Sequence, residues 1–366
     1  MRFDFIVIGG GIAGLSSAAA LSHHGKVALL EREAQPCHHS SGRSAAIFVR
    51  SYGNDTVRAL TAISERAFAA DAAAGHETLG RRRGILIVAR KDGDPGAPAH
   101  GRERISAEAA AAHMPLLRPE RLSHAWLEAA ARDIDVHAMH MGYMKTLKAN
   151  GGSLLTGFDA QAAVRREGLW HVSDGARTVI APVAINAAGA WADAVGVMFG
   201  AAPKGIRPLR RSAALIDPPA GSAIDDWPMV VDVEESVYFK PEAGKLMVSP
   251  ADCTPSPPCD SWADDMDIAV AIDRYQDLTG QEVRRVTHTW AGLRSYVADE
   301  SPLIGADAAV QGFIWLAALG GFGVQTAPAA GAVAAALASR SALPEGVTPA
   351  LLRAVDPARA GCTGPA

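Results

Sequence analysis

The sequence predicts an α/β fold, because a strand, a glycine-rich turn and a helix follow one another three times. The first occurrence is Phe5–Ile8, which precedes glycines at the spacing G-x-G-x-x-G and a run of small residues. The apolar runs 183–186 and 313–318 are followed in the same way by glycines and small residues. Short apolar runs bounded by glycines are typical of buried strands, and their alternation with helices favours a parallel sheet.

The first turn has the pattern of a dinucleotide-binding site. Gly9 permits the tight turn, Gly11 lets a pyrophosphate approach the backbone, and Gly14 lets helix and strand pack closely. The helix that begins there directs amide groups and the positive end of its dipole at the phosphates. A second apolar run, 27–30, ends on Glu31, about 20 residues beyond the middle glycine, where a carboxylate accepts hydrogen bonds from ribose hydroxyls.

The carboxylate at position 31 disfavours a 2′-phosphate, so the sequence favours FAD or NAD over NADP. The unit opens the sequence, as FAD-binding units commonly do, which favours FAD. A signal peptide is the alternative interpretation. Against it, the basic region is Arg2 with Asp4 close behind, and glycines interrupt the apolar core.

The amino-acid composition limits the classes of function that the protein can have. The 366 residues are 49% hydrophobic and 20% charged with a formal net charge of −4, which suits a large core in roughly one to three domains. This balance offers no basic surface for nucleic acid, and no apolar stretch reaches the ~18–20 residues of a membrane span without glycine or charge. The four cysteines form no C-x-x-C pair, and His137 and His140 alone make a poor metal site. We therefore expect no metal and a reducing, cytoplasmic compartment.

Residues 36–46 differ from their neighbours, being small, rich in hydroxyl groups and followed by the apolar Ile47. Such a stretch can lie along a flat ligand, with backbone amides and serine hydroxyls as donors. A polar connecting loop is equally compatible with the sequence.

The remaining pattern predicts elements as follows. Helices are expected over 55–75, 106–113, 136–148, 265–280 and 326–339, and strands over 85–88, 153–164, 169–179, 211–216, 229–233, 237–240 and 246–249. A surface loop is expected over 91–102 and a turn over 302–305.

These elements predict two interleaved domains. Residues 1–50, 133–200 and 295–345 are expected to form a discontinuous FAD-binding domain of Rossmann type. Residues 51–132 and 201–294 are expected to form a mostly antiparallel β substrate-binding domain, and 351–366 a flexible tail.

The sequence resembles the D-amino-acid oxidase/dehydrogenase superfamily of FAD-dependent enzymes, and within it the bacterial D-arginine dehydrogenases. The matching stretches span nearly the whole chain in the same order. They are VIGGGIAG…LEREAQP (7–36), HSSGRSAA (39–46), INAAGAW (185–191), RRSA (210–213), DWPM (226–229), YFKPEAG (238–244), HTWAGLRS (288–295) and GGFGVQT (320–326).

The resemblance implies that Arg211 and Arg294 hold the substrate carboxylate, since a planar guanidinium group pairs bidentately with it. It also implies that Tyr238 contacts the carboxylate and that Tyr52 lies on a mobile loop covering the site. The alternative is that the arginines lie at the surface at strand ends and that the tyrosines only pack.

The resemblance implies FAD as the cofactor and a larger set of contacts to it. These are Gly9, Gly11, Ile12, Ala13, Gly14, Glu31, Arg32, Ser41, Arg43, Ser44, Ala45, Ala46, Val164, Ala188, Gly189, Trp191, Arg294, Gly320, Gly321, Phe322, Gly323, Gln325 and Thr326. The last glycines match the segment beside the flavin pyrimidine ring, where a helix N-terminus stabilises negative charge on reduced flavin.

Two positions depart from the D-arginine dehydrogenase pattern. Ile47 stands where those enzymes have a histidine that faces the substrate, and Gly84 where they have a glutamate that pairs with the substrate guanidinium group. A pocket without that anion should not select a cationic side chain, whose charge would be desolvated and unpaired. We therefore expect a neutral substrate, such as a small or apolar D-amino acid or a cyclic imino acid such as D-proline.

The expected reaction is oxidative deamination of a D-amino acid to a 2-oxo acid and ammonia, with hydride transfer from Cα to flavin N5 and no obligatory side-chain base. The electron acceptor is either oxygen or a quinone-type respiratory acceptor. Three alternatives stay open: oxidation of a glycine-, sarcosine- or D-proline-type amine, dehydrogenation of a 2-hydroxy acid on the same scaffold, and a non-catalytic flavin-binding subunit.

Overall fold

The computed structural model describes residues 1–93, 96 and 101–360, so much of the surface loop expected over 91–102 lies outside the described residues. Its helices are α1 (Ile12–Leu21), α2 (Asp55–Ala73), α3 (Ala107–His113), α4 (Val136–Ala149), α5 (Ala192–Met198), α6 (Asp265–Thr279), α7 (Gly323–Ser339) and α8 (Pro349–Val355). Its strands are β1 (Phe5–Ile8), β2 (Val27–Leu30), β3 (Ile47–Phe48), β4 (Leu79–Arg82), β5 (Ile85–Arg90), β6 (Glu103–Ser106), β7 (Leu122–Glu128), β8 (Arg132–Ile134), β9 (Ser153–Leu155), β10 (Ala162–Arg166), β11 (Leu169–Ser173), β12 (Thr178–Ala181), β13 (Val183–Asn186), β14 (Arg207–Ile216), β15 (Met229–Asp232), β16 (Tyr238–Glu242), β17 (Lys245–Ser249), β18 (Thr254–Pro255), β19 (Val286–Tyr296), β20 (Leu303–Ala306) and β21 (Phe313–Ala317).

A six-stranded sheet contains the strands of all three predicted strand–glycine–helix units. Its order is β20-β21-β13-β1-β2-β9, and every pair is parallel except β20 with β21. Helices α1, α2, α4 and α7 cover one face, while α5 and the three-stranded sheet β10-β11-β12 cover the other. Both faces are therefore buried, which explains why β1 and β2 are continuous apolar runs.

A second, larger sheet carries the strands of the predicted hairpins. Its order is β18-β14-β17-β16-β15-β5-β7-β6, with β19 also paired to β14. Side chains alternate between its faces. One face packs on α3 and α6 through residues such as Leu86, Phe239 and Val248. The opposite face, which includes Ile85, Ile87 and Met247, turns toward the first sheet. The predicted α/β fold class is thus confirmed.

A partly buried ionic network connects the small sheet β3-β8-β4 to the larger sheet. The Arg83 guanidinium donates to both Asp133 carboxylate oxygens at 2.6–2.8 Å, and the Lys240 ammonium lies 3.6 Å from the same carboxylate. Arg83 also donates to the Trp227 carbonyl at 2.8 Å. The three segments are therefore joined beside the predicted Gly84 position.

Three local predictions are wrong. The strand expected over 153–164 is two strands: Ser153–Leu155 extends the buried sheet by pairing in parallel with β2, whereas β10 pairs antiparallel with β11. The expected turn over 302–305 contains strand β20, which pairs with β21. The tail expected from 351 begins in α8, where the Thr348 hydroxyl caps the helix by accepting the Leu351 amide hydrogen at 3.1 Å.

The predicted domain boundary at residue 50 separates α2 from the helices it contacts. The Ser64 hydroxyl accepts the Ala329 amide hydrogen at 3.1 Å, and Gln325 donates to Thr61 at 2.9 Å. Helix α2 therefore packs with the first sheet's helix layer, although 51–132 was assigned to the substrate-binding domain.

One helical stretch, 320–339, is long and apolar enough to cross a membrane, but 72% of its most apolar window is buried inside the structure. It includes α7, the central helix of the first sheet's helix layer. Its apolar composition is thus explained by packing within the protein.

The packing of the C-terminal segment predicts a measurable contribution to the free energy of unfolding. Leu351 is 6% exposed and packs in the core beneath the first sheet, and Arg359 donates to Asp299 at 2.7–2.8 Å. We expect Leu351→Ala to lower the free energy of unfolding in urea by about 2–4 kcal/mol, because it leaves a cavity. Leu343→Ala, at a leucine 39% exposed, is the control and should cost under about 0.5 kcal/mol. Equal small effects would show that the segment does not pack on the core in solution.

Candidate active site

The first glycine turn accepts no side chain at two positions. Gly9 has φ +104°, and a Cβ there would lie 2.4 Å from the Ala187 carbonyl oxygen. A Cβ on Gly14 would lie 1.8 Å from the Gly9 carbonyl oxygen, so α1 packs directly on the turn. At the start of α1 the Ile12 amide donates to the Ser41 hydroxyl at 3.0 Å. The glycine turn and the 36–46 segment are therefore one local structure.

Glu31 is 8% exposed and holds the glycine turn in place. Its two carboxylate oxygens accept the Gly10 amide hydrogen at 2.6 Å and the Glu33 amide hydrogen at 2.8 Å. Each oxygen keeps a further lone pair for a ligand hydroxyl. The carboxylate thus orders the turn and still borders a cavity.

Three connected cavities run from this turn to the larger sheet. The nucleotide cavity, of about 220 Å³, is lined by Glu31, Arg32, Ala188 and Trp191 among others. The central channel, of about 140 Å³, shares Gly11, Ser40, Ser41, Ala187 and Gly189 with it. The active-site cavity, of about 670 Å³, shares Ser44, Arg211, Arg294, Gly321 and Val324 with the channel. Because neighbouring cavities share lining residues, the three lie in series along one path, which suits an extended dinucleotide with a ring system at one end.

Most residues predicted to contact a cofactor line this path. The nucleotide cavity has Gly9, Gly11, Glu31, Arg32, Ser41, Ala188, Gly189 and Trp191; the central channel adds Ile12, Ala13, Arg43, Ser44, Gly320 and Gly323; the active-site cavity has Ala45, Ala46, Gly321, Phe322, Gln325 and Arg294. The Arg32 guanidinium stacks over the Trp191 ring at 4.2 Å.

The predicted contact between Val164 and the cofactor needs correction. It lies on β10 with 44% of its surface exposed and is outside the lining of all three cavities. The chain meets the nucleotide cavity earlier, at 158–160, directly after β9. The contact implied by the family resemblance therefore falls a few residues beyond the segment that lines the cavity.

Two of the cavity-lining residues named above, Arg43 and Gln325, are also held by other parts of the chain, and a third predicted contact, Thr326, lies outside the cavities. Arg43 donates to the Ser261 and Ala291 carbonyls at 2.8 and 2.9 Å and pairs with Asp260, so its charge ties the 36–46 segment to β19. Gln325 is 2% exposed and accepts the Val49 amide hydrogen at 3.1 Å. Thr326 is fully buried and lines none of the cavities.

Strand register brings the two predicted arginines together. In the antiparallel pair β14–β19, Leu209 lies opposite Arg294 and Arg211 lies opposite Gly292. Opposed residues, and residues two apart, share a sheet face. Arg211 and Arg294 therefore project from the same face into the active-site cavity, which both line.

Neither guanidinium group forms an ion pair with a carboxylate in the part of the chain that the structure describes. Arg211 donates to the Asp252 carbonyl at 2.7 Å and to the Cys253 sulfur at 3.1 Å. Burial lowers the pKa of Arg294, whereas the electrostatic influence of Tyr238, Tyr52, Tyr296 and Cys253 together raises it, and the net shift is upward, so the group stays charged. Two guanidinium groups that line the same cavity and have no carboxylate of the described residues in ion-pair contact form a site suited to an anion.

Three tyrosines surround this pair. Tyr238 is 6% exposed, and the Tyr52 ring packs edge-on against Phe322 with centroids 4.7 Å apart. Tyr296, which the sequence analysis missed, follows Arg294 by two residues on the same face. Burial raises the pKa of Tyr52 and of Tyr296 despite the opposing charge of Arg294. Both are therefore neutral hydrogen-bond donors at physiological pH.

The Tyr52 segment is held by groups that the sequence analysis also missed. Glu128 is 2% exposed and accepts the Arg50 amide hydrogen at 2.8 Å and the Ser51 hydroxyl hydrogen. Arg102 donates to the Ser51 oxygen at 2.9 Å. Glu128 and Arg102 lie far from Tyr52 in sequence, so no local sequence pattern predicts their contacts with this segment.

Part of the active-site cavity wall is formed by apolar side chains. Ile47 lines it as predicted, together with Ile85, Ile87, Trp126 and Met229. The predicted place of Gly84 in the pocket needs correction. Gly84 lies outside the lining of the active-site cavity, and the next residue, Ile85, lines the cavity instead. The acids Asp232, Glu235 and Glu300 also line this cavity.

One His/Asp cluster among the described residues has atoms close enough to share a metal ion: those of His38, His39 and Asp260 lie within 4.8 Å of one another. The Arg43 guanidinium already contacts the Asp260 carboxylate at 2.5 Å. A metal ion there would have to displace or face that cation.

Cysteine alkylation tests the packing of the glycine turn. Burial raises the pKa of Cys37 to about 12, and its amide donates to the Gly10 carbonyl at 3.0 Å, whereas Cys253 is exposed in the active-site cavity. We expect iodoacetamide at pH 8 to modify Cys253 in the folded protein and Cys37 only after unfolding, because the thiolate is the nucleophile. Peptide mapping measures both sites. Equal rates at the two sites would contradict the described packing.

Comparison with known proteins agrees with this arrangement. The family model DAO, described as FAD dependent oxidoreductase, matches residues 4–337. The chain is 28% identical over 337 residues to the tRNA 5-methylaminomethyl-2-thiouridine biosynthesis bifunctional protein MnmC of Methylibium petroleiphilum, covering 83% of this chain and 48% of that protein. It therefore spans about half the length of that relative.

Two solved structures illustrate the similarity of fold. L-proline dehydrogenase from P. horikoshii has a TM-score of 0.83 at 19% identity and covers 97% of each chain. Glycine oxidase from Geobacillus kaustophilus has a TM-score of 0.78 at 16% identity and covers 93% of this chain and 95% of its own. The family match spans both sheets and all three cavities, so the chain belongs to the DAO family of FAD-dependent oxidoreductases.

Proposed function

We propose that the protein oxidises the α-carbon–nitrogen bond of a D-amino acid with a small or apolar side chain. The observation that supports this most strongly is the pair Arg211 and Arg294 on one face of the larger sheet, beside Tyr238 and without a protein carboxylate in ion-pair contact. A substrate carboxylate supplies the missing counter-ion. Guanidinium groups bind it in a fixed orientation, which positions Cα for reaction.

The cavity around the arginine pair favours a neutral side chain. Ile47, Ile85 and Ile87 offer no partner for a cation, which would be desolvated at a cost. Asp232 is 1% exposed and its carboxylate already accepts from the Ser236 hydroxyl at 2.7 Å and pairs with Arg90 at 3.3 Å. Glu235 and Glu300 are exposed, so water screens their charges.

The residues present fit FAD along the three cavities. Glu31 and Trp191 would hold the adenosine half, the glycine turn and α1 the pyrophosphate, and Ala45 and Gly321 would lie beside the ring system. FAD, when bound, accepts a hydride from the substrate. The chain binds and orients the substrate, and we assign no side chain as a base, because a neutral amine suffices.

A second candidate is oxidation of a glycine-, sarcosine- or D-proline-type amine, supported by the similarity in fold to the proline dehydrogenase and glycine oxidase structures. Dehydrogenation of a 2-hydroxy acid would use the same arginines. The proposed electron acceptor is oxygen or a quinone-type molecule, and the free cysteines support a cytoplasmic location.

An anaerobic substrate screen tests the proposal. The flavin-loaded protein is mixed with D- and L-amino acids, glycine, sarcosine, proline enantiomers and 2-hydroxy acids while the flavin absorbance is recorded. We expect neutral D-amino acids to bleach the flavin fastest and D-arginine or D-lysine to react more slowly. Preference for a cationic or an L-substrate would contradict the specificity, and no bleaching by any compound would contradict the activity.

Neighbouring arginines provide a matched control. We expect Arg211→Met to lower kcat/KM by roughly 100-fold, since losing one partner of a buried charge pair costs about 2–5 kcal/mol. Arg210→Met is the control, because Arg210 points to the opposite face and binds Asp267 at 2.7 Å. Similar kinetics for the two variants would refute the carboxylate clamp.

A further inference from the structure

Tyr296 occupies a position between the arginine pair and the last glycine turn. It ends β19, lines the active-site cavity and shares the sheet face of Arg294. A Cβ on Gly320 would lie 2.3 Å from its ring, so the glycine turn is shaped around this tyrosine. The side chain is therefore fixed by packing before any ligand binds.

The tyrosine hydroxyl has one partner among the described residues. The Gly321 amide donates to the Tyr296 oxygen at 2.9 Å. Because that amide hydrogen occupies an acceptor position of the oxygen, the phenolic hydrogen is directed elsewhere, and no described residue accepts it. Tyr296 is half-buried and lines the active-site cavity, so its hydroxyl hydrogen is available to an acceptor that enters the cavity.

The surrounding charges favour an anionic acceptor. The charges of Arg294 and Arg211 lower the pKa of the Tyr296 hydroxyl, but burial raises this pKa by more, so the group remains protonated. A carboxylate between the two guanidinium groups would lie beside this hydroxyl. The amide-to-hydroxyl hydrogen bond would then polarise the hydroxyl further as a donor.

We propose that Tyr296 is a substrate-positioning residue whose hydroxyl donates its hydrogen to the carboxylate held by Arg211 and Arg294. The proposal rests on the proposed function and extends it, since it adds a specific donor to the carboxylate site. It also connects the substrate carboxylate, through one hydroxyl, to the Gly321 amide at the start of the last glycine turn.

The test uses the flavin-loaded protein and propanoate, a carboxylate without an oxidisable amine. Tyr296→Phe keeps the ring that packs on Gly320 and removes only the hydroxyl. We expect its propanoate Kd, measured from the flavin absorbance change, to rise about 10-fold, as for a hydrogen bond to a charged group. KM for the best amino acid should rise similarly, while kcat and FAD affinity change little.

Tyr143→Phe is the matched control, since Tyr143 lies on α4 away from the three cavities, and it should leave the propanoate Kd unchanged. An unchanged propanoate Kd in Tyr296→Phe would overturn the proposal. So would weaker FAD binding with the propanoate Kd retained, which would make the tyrosine a support for the turn. Failure of the wild-type protein to bind propanoate would instead contradict the proposed function.

Discussion

Strands β14 and β19 pair antiparallel over nearly their full lengths, and the register of this pair determines the chemistry of the cavity. It places Leu209 opposite Arg294 and so brings Arg211 to the same face. A slip of one residue would move one arginine to the helix-covered face, since side chains alternate with a period of two. The hydroxyl of Ser40 donates to the Leu293 carbonyl at 2.6 Å, and Arg43 donates to the Ala291 carbonyl. The same strand therefore anchors the segment beside the nucleotide path.

The charge balance of the cavity follows from this arrangement. Two guanidinium groups lie among three tyrosines, while the buried acids Glu31, Glu128 and Asp232 each accept hydrogen bonds within the chain. Arg211 and Arg294 thus lie without a carboxylate in ion-pair contact among the described residues, in a cavity that Arg102 and the acids Asp232, Glu235 and Glu300 also line. This supports recognition of an acid by its carboxylate and leaves the apolar wall to distinguish side chains.

The sequence was sufficient for features that depend on local patterns. The glycine turn, Glu31 and the helices over 55–75, 106–113 and 265–280 are specified by spacing and periodicity, and the structure contains them. The arginine pair came from family resemblance, because 83 residues separate its members and only strand register unites them. Tyr296 could have been found from its position two residues after Arg294 in a strand.

Other features depend on tertiary contacts that one sequence does not reveal. The sequence analysis expected one strand over 153–164, but Ser153–Leu155 forms a separate strand that pairs in parallel with β2. Residues 158–160 line the nucleotide cavity, whereas the family resemblance implied a contact at Val164. Glu128 and Arg102 meet at Ser51 from segments remote in sequence. Helix α8 was not predicted, because the Pro- and Gly-rich composition of the chain end indicated a flexible tail. In the structure, the Thr348 hydroxyl caps this helix.

The most direct test is a crystal structure of the FAD complex with propanoate bound. The account predicts FAD extended along the three cavities and the propanoate carboxylate between Arg211 and Arg294, facing the flavin ring. Guanidinium groups directed into solvent, or a carboxylate bound away from both, would contradict it.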